Sequence, residues 1–227
     1  MTTKASVASI DPAVDRGLKS HGESEAPIYR AAAALLRARG AKGVLVDVGC
    51  GIGRFLEYVG DLTAGYIGVD VVRHPGLSEY AAFHRADLDR EHIPLPSASA
   101  DIVAALETIE HLENPRACCR ELARILKPGG WLVLSTPNQL SLLSLLCLVV
   151  RKRFVAFQDA CYPIHRTALL PIDLVRIAGE CGLTEIELGF SCAGRIPLSG
   201  AHYPQTLSQM FPQLLSDNVL LVARRHA

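Results

Sequence analysis

Short apolar runs rich in Val, Ile and Leu recur along the chain, and segments with the apolar spacing of helices separate them. Each run has the length and composition of a buried strand. The runs cover residues 44–48, 66–70, 82–86, 101–106, 131–135, 185–190 and 219–224. Strands that alternate with helices predict an α/β fold with a doubly wound, mainly parallel, seven-stranded sheet, whose ligands bind at the strand carboxyl ends.

The segments before the first run predict the domain organisation. Residues 25–39 are rich in Ala, Leu and Arg and stop at Gly40, which is typical of a helix with a glycine C-cap. Residues 1–24 are polar and small, and we expect a loose N-terminal arm there. Residues 25–227 are expected to form a single domain.

A glycine-rich turn follows the first run. The sequence VLVDVGCGIGR, residues 44–54, ends a strand on an acidic residue and leads through three glycines into a helix. Such glycines let the backbone approach a ligand closely, and the helix presents free N–H groups. Dinucleotide sites space their glycines as G-x-G-x-x-G around a pyrophosphate, but the spacing here is G-x-G-x-G. Asp47 would repel pyrophosphate and could hold an ammonium group, so the turn predicts a different nucleoside cofactor.

Acidic residues also close the second and third runs. Asp70 ends the second run, where a carboxylate of a parallel α/β sheet reaches ribose hydroxyls. Asp87 and Leu88 follow the third run. A single Asp is more often a solvated strand end or a helix cap, but three in this order favour a ligand site.

Together these motifs resemble the class I S-adenosylmethionine-dependent methyltransferases, in which D-x-G-x-G-x-G receives the methionine end of the cofactor. The resemblance covers residues 26–224, and its motifs lie between 44 and 138. It implies an antiparallel last strand, an adenine contact at Asp87 and Leu88, and a methyl group that points toward the ends of the fourth and fifth strands. The cofactor residues that it implies are Asp47, Gly49, Cys50, Gly51, Gly53, Asp70, Val71, Asp87, Leu88 and Glu107.

The fourth run continues into ETIEHL, residues 107–112, which supplies candidate catalytic groups. Methyl transfer mainly requires that the acceptor is aligned and its proton removed. Histidine titrates near neutral pH and can take that proton, so His111 is the first candidate for the base. The alternative is a histidine that caps or packs under the following loop.

A second interpretation adds Glu107, Glu110 and His165 to His111. This set resembles the small-RNA 2′-O-methyltransferases, and to a lesser degree the ubiquinone-pathway O-methyltransferases, where two glutamates and two histidines hold a divalent ion. An ion such as Mg²⁺ would lower the pKa of the acceptor hydroxyl. Relatives that use no metal also carry E-H-L here, and their glutamate contacts the cofactor or braces a loop. The candidate catalytic residues are therefore His111, Glu110 and His165.

Residues 140–150, LSLLSLLCLVV, are strongly apolar and precede the basic tract RKR at 151–153. The run is too short to span a bilayer. The favoured interpretation is a buried helix over the sheet; the alternative is an interfacial or lid helix that contacts a membrane or a lipid-like acceptor through residues 140–153. We expect residues 139–170 and 191–217 to be insertions on the acceptor side.

Composition excludes few functions. Formal net charge is zero with no long basic run, so DNA is not expected as a partner. Seven cysteines without a C-x-x-C pair, and an N-terminus without an apolar leader, favour a cytoplasmic protein with reduced thiols. The sequence thus predicts methyl transfer to a small hydroxylated acceptor such as a quinone, glycan, lipid-like or secondary-metabolite compound. The alternatives are a macromolecular acceptor and a cofactor-binding protein without transferase activity.

Overall fold

Parallel strands form the centre of the molecule. The computed structural model describes residues 11–20, 22–79 and 81–226, and seven strands within these ranges form one sheet in the order β3-β2-β1-β4-β5-β7-β6. Only β7 runs antiparallel to its neighbours. This confirms the predicted doubly wound sheet with an antiparallel last strand. The strands are β1 Gly43–Val48, β2 Thr63–Asp70, β3 Ala82–Arg85, β4 Ala100–Ala105, β5 Leu126–Pro137, β6 Leu183–Phe190 and β7 Asn218–Arg225.

Helices cover both faces of the sheet. In the described ranges they are α1 Pro12–Lys19, α2 Ala26–Ala38, α3 Leu56–Val59, α4 Pro115–Ile125, α5 Leu142–Arg151, α6 Pro171–Glu180 and α7 Gln205–Met210. One hydrophobic cluster joins α2 to one face of the sheet, and a second joins α4 and α6 to the other face. Because both faces are covered, the central strands are buried on both sides, as their continuous apolar runs require.

The N-terminal segment is more ordered than the sequence predicted. Residues 12–19 form α1 instead of a loose arm. The part of that prediction that falls on residues 1–10 lies outside the described residues. The loop after α1 contacts the glycine-rich turn, since the Ile52 N–H donates to the Gly22 carbonyl at 3.1 Å.

Helix α5 also differs from the favoured prediction of a buried helix. Among its ten residues, all of which are described, Ser144 is the one fully buried side chain. The side chains of Leu146, Val149 and Val150 are 44%, 68% and 78% exposed. The prediction of a core helix is therefore wrong: apolar residues of α5 face outward. No helix in the described part of the chain is long and apolar enough to cross a membrane.

Candidate active site

A cavity of about 570 Å³ lies at the carboxyl ends of β1, β2 and β4. Its volume is typical of a site for a small organic ligand. Most of the predicted site residues lie on its wall: Asp47, Gly49, Cys50, Asp70, Val71, Asp87, Leu88, Glu107, Glu110, His111 and His165. Gly51 and Gly53 are not part of this wall. The roles of the individual residues stay predictions.

The glycine-rich turn is shaped by its neighbours in the chain. Gly49 and Gly51 have φ angles of +72° and +51°, in the left-handed region that favours glycine. A Cβ atom would overlap the Thr108 hydroxyl at Gly49 and the Gly22 carbonyl at Gly51. These glycines are therefore needed for packing within the protein, whether or not a ligand is bound.

Asp70 is held at the tip of β2 by backbone groups. Its Oδ2 accepts a hydrogen bond from the Gly51 N–H at 2.9 Å, and its Oδ1 accepts one from the Val71 N–H at 2.7 Å. Burial raises the pKa of Asp70, while these N–H groups oppose the rise. A carboxylate has about four acceptor positions, so Asp70 can still accept hydrogen bonds from ligand hydroxyls.

Asp47 is a buried carboxylate at the end of β1. Its Oδ2 accepts a hydrogen bond from the Tyr66 hydroxyl at 2.9 Å. Burial raises the pKa of Asp47 to about 7, the Tyr66 hydrogen bond opposes that rise, and the charge of Asp70 adds to it. A cationic group in the cavity would favour the ionised form.

The Glu107 carboxylate, just after β4, forms hydrogen bonds with β5 and β7. Its Oε1 accepts a hydrogen bond from the Ser135 hydroxyl at 2.7 Å, and its Oε2 accepts one from the Asn218 amide at 2.9 Å. Among the described residues, the group whose donor atoms could share one ion contains Glu110, His111 and His165 but not Glu107. In this structure Glu107 therefore lies outside the three-residue group, and its carboxylate accepts hydrogen bonds from β5 and β7.

The two histidines lie side by side although they are distant in sequence. Their ring centroids are 5.0 Å apart. The loop that carries His165 is held against the turn that carries His111, because the N–H groups of Arg166 and Thr167 both donate to the Glu110 carbonyl, at 2.8 and 3.0 Å. The donor atoms of Glu110, His111 and His165 lie within 4.8 Å of one another.

The orientation of both imidazoles follows from their contacts. His111 Nδ1 lies 2.9 Å from the Ile164 carbonyl oxygen, and His165 Nδ1 lies 2.7 Å from the Ala156 carbonyl oxygen. Since a carbonyl oxygen only accepts, each Nδ1 must carry hydrogen. A neutral ring then has its lone pair on Nε2, which is the form needed in a base or a metal ligand.

Glu110 is a fully buried carboxylate at this end of the cavity. Neither oxygen makes a hydrogen bond to another described residue. Burial raises the pKa of Glu110 to about 8, and nearby polar groups that include the Thr136 hydroxyl offset only part of that rise. Burial also lowers the pKa of His165, and the neighbouring His111 lowers it further. This end of the cavity therefore holds groups that can exchange a proton near neutral pH.

Sequence reasoning missed part of the wall. Ala13, Gly17 and Lys19 of α1 line the cavity, but α1 is one short amphipathic helix without a motif. The ion pair between Arg195 and Asp217 also lines it. The signal that was available is the polar pair Asp217 and Asn218 directly before the apolar residues of β7, which places polar groups at that strand end.

Comparisons with known proteins agree with the fold and the motifs. A family model described as a methyltransferase domain matches residues 23–186. A Mycolicibacterium smegmatis protein named "Probable S-adenosylmethionine-dependent methyltransferase" is 32% identical over 179 residues, which cover 76% of this chain and 65% of that protein. A ubiquinone biosynthesis O-methyltransferase from Burkholderia pseudomallei is 30% identical over 154 residues, which cover 63% of this chain and 66% of that protein. The chain thus spans slightly less than two thirds of the length of these curated relatives.

Two solved structures show the same fold. A crystal structure of a S-adenosylmethionine-dependent methyltransferase from Archaeoglobus fulgidus has a TM-score of 0.63 at 19% identity and covers 91% of this chain and 97% of that one. The 1,6-didemethyltoxoflavin-N1-methyltransferase of Burkholderia thailandensis has a TM-score of 0.61 at 15% identity and covers 97% and 93%. At these identities the similarity concerns the fold alone.

We expect the buried Glu110 carboxyl to make stability depend on pH. The folded state keeps its proton from the ordinary pKa of 4.5 up to about 8. The free energy of unfolding should therefore fall as pH rises through this window, by up to about 1.4 kcal/mol per pH unit for this one group. Glu110→Gln cannot ionise and should show a shallower fall in denaturant unfolding. The exposed Glu180→Gln is the control; identical pH profiles for Glu110→Gln and wild type would contradict the assignment.

Proposed function

Because this chain belongs to the S-adenosylmethionine-dependent methyltransferase family, we propose that it transfers the methyl group of S-adenosylmethionine to a hydroxyl oxygen of a small acceptor. The observation that carries the proposal is the shared cavity, in which Asp47, Gly49 and Asp70 lie on the same wall as Glu110 and His111. One cavity can therefore hold a cofactor and an acceptor together.

The residues present fit this cofactor. Asp70 is fixed by two N–H groups and keeps acceptor positions for ribose hydroxyls. In this proposal the Asp47 carboxylate would hold the methionine amino group of the cofactor. The left-handed backbone at Gly49 leaves its part of the wall without a side chain. When bound, S-adenosylmethionine supplies the methyl group of its sulfonium, and the leaving group is a neutral thioether.

The chain's own residues then have to orient the acceptor and remove its proton. We assign removal of the acceptor proton to His111 Nε2. His111 Nδ1 is hydrogen-bonded to the Ile164 carbonyl, and this bond also fixes the orientation of the ring. The lowered pKa of His165 keeps that neighbour neutral, so it does not repel a protonated His111. The cavity would also raise the rate by holding the cofactor and the acceptor close together in a fixed orientation.

The acceptor class rests on the relatives. Ubiquinone biosynthesis O-methyltransferases are among them, which supports oxygen as the methylated atom and a quinone-like compound as the acceptor. Glycan, lipid-like and secondary-metabolite acceptors fit the same chemistry. A macromolecular acceptor and a cofactor-binding protein without activity are the alternatives; the second would bind S-adenosylmethionine and yield no S-adenosylhomocysteine with any acceptor.

A divalent cation is a second candidate component, and the Glu110, His111 and His165 cluster favours it. Both imidazoles direct Nε2 away from a carbonyl-bound Nδ1, an arrangement common in metal-binding histidines, and the buried Glu110 carboxylate lacks a partner among the described residues. These three residues would hold the ion, which would lower the pKa of an acceptor hydroxyl. One carboxylate and two imidazoles would admit Mn²⁺ or Zn²⁺ as well as Mg²⁺.

The cofactor assignment predicts the effect of removing Asp70. Asp70→Ala should weaken S-adenosylmethionine binding by about 1.5–3 kcal/mol, the range for hydrogen bonds to charged groups. Calorimetry on the purified protein measures it. Asp61→Ala is the control, because Asp61 is an exposed partner of Arg37 outside the cavity. Unchanged affinity in Asp70→Ala would show that the cofactor does not bind here.

The base assignment predicts a loss of turnover without a loss of binding. His111→Ala should keep the affinity for S-adenosylmethionine and lower kcat about 10²–10⁴-fold, the range for general-base catalysis. His92→Ala changes an exposed histidine and should behave as wild type. Normal turnover of His111→Ala across the pH range would remove His111 from the mechanism.

The metal candidate predicts sensitivity to chelators. Activity should disappear in excess chelator and return with Mg²⁺, Mn²⁺ or Zn²⁺, and His165→Ala should lose activity as the chelated wild type does. Elemental analysis of the purified protein gives an independent measurement. Full activity in excess chelator, with no metal found, would leave only the mechanism in which His111 acts as the base.

A further inference from the structure

The outward-facing apolar side of α5 departs from the usual pattern of a surface helix. Leucine and valine residues on a surface helix normally face the core. In α5 the buried position is taken by Ser144, and Leu146, Val149 and Val150 are exposed. Leu146, Val149 and Val150 are three and four positions apart on α5 and so share one helix face, and an exposed apolar patch is typical of an interaction site.

More exposed apolar residues lie beside the N-terminal end of α5. The Leu142 N–H donates to the Leu214 carbonyl at 2.8 Å, which fixes the segment after α7 against this helix. Leu214 itself is 41% exposed, and the preceding Met210 and Phe211 are 71% and 51% exposed. We call α5 together with residues 210–214 the apolar surface.

Basic side chains border the apolar surface. Arg151 is the last residue of α5, Lys152 and Arg153 follow it, and all three are exposed. Arg153 forms an ion pair with Asp159, whereas no ion pair of Arg151 or Lys152 is found within the described part of the chain. Since the whole chain has a formal net charge of zero, this is a local positive charge next to apolar side chains, the combination that suits an anionic lipid surface.

The apolar surface is attached to the histidine side of the cavity. The buried Ser144 hydroxyl accepts a hydrogen bond from the Val155 N–H at 3.3 Å. Val155 and Ala156 line the cavity, and the Ala156 carbonyl contacts His165. A surface that holds α5 would therefore lie close to the end of the cavity where the proposed acceptor reacts.

We propose that the apolar surface docks onto an anionic phospholipid bilayer and lies in its interface. Helix α5 has ten residues and is about 15 Å long, which is enough to lie in the interface and too short to cross. Docking would turn the acceptor end of the cavity toward the bilayer, from which an apolar acceptor could enter. This last consequence rests on the proposed methyl transfer, whereas docking itself does not.

Vesicle flotation with the full chain tests the proposal. The protein should float with vesicles of phosphatidylcholine and phosphatidylglycerol, bind pure phosphatidylcholine vesicles far less, and dissociate as salt is raised. Leu146→Ser with Val149→Ser should reduce binding more than tenfold. Arg151→Gln and Lys152→Gln should each reduce it about fivefold, the value of one basic residue near an anionic surface. The double variant Leu56→Ser and Ile172→Ser changes exposed apolar residues elsewhere and should bind as wild type.

Three results would overturn the proposal. The first is wild-type protein that does not float with anionic vesicles. The second is an equal loss of vesicle binding in the α5 variants and the control variant. The third is an α5 variant that converts a dimer to a monomer in light scattering, combined with a wild type that does not bind vesicles. Thermal unfolding and S-adenosylmethionine calorimetry on every variant separate docking from function. Lost flotation with intact cofactor binding reports on docking alone, whereas wild-type flotation without methyl transfer would contradict the proposed function alone.

Discussion

Burial of carboxylates at one edge of a parallel sheet is the constraint on which the site depends. Parallel strands place their carboxyl ends side by side, so Asp47, Asp70, Glu107 and Glu110 meet around one cavity. Burial raises the pKa of all four. Such an edge is unfavourable when empty and ionised, and it favours a ligand that carries positive charge. In the proposed complex, the sulfonium and ammonium groups of S-adenosylmethionine would supply that charge.

The buried carboxylates differ in the hydrogen-bond donors that the protein gives them. Backbone N–H groups hold Asp70, and hydroxyl and amide groups of β5 and β7 hold Glu107. These interactions fix the wall in place. Glu110 receives no such bond from the described residues, and a carboxylate oxygen of Glu110 lies within 4.8 Å of a ring nitrogen of each of His111 and His165. Of these four carboxylates, Glu110 is therefore the one that receives no hydrogen bond from the described residues.

Local patterns predicted most of the sheet and most of the candidate residues that line the cavity, because a buried strand and the acidic residue at its tip are adjacent in sequence. What the sequence could not predict depends on contacts between distant segments. Glu107 accepts a hydrogen bond from Asn218, 111 residues away, and its spacing from Glu110 and His111 gives no sign of this contact. In α5, Ser144 is buried and Leu146 is exposed. The apolar spacing of the helix could not predict this, because hydrophobic periodicity does not show which helix face packs against the rest of the protein.

Proton release on cofactor binding tests whether the buried acidic edge receives the cationic cofactor. Asp47 and Glu110 are partly or mainly protonated near neutral pH, with pKa values of about 7 and 8. Binding of S-adenosylmethionine should favour their ionised forms and release protons to the buffer. Calorimetric titration at neutral pH in two buffers with different ionisation enthalpies measures that release. We expect saturable binding with a heat that differs between the buffers. Equal heats, or no saturable binding, would contradict the proposed role of the acidic edge.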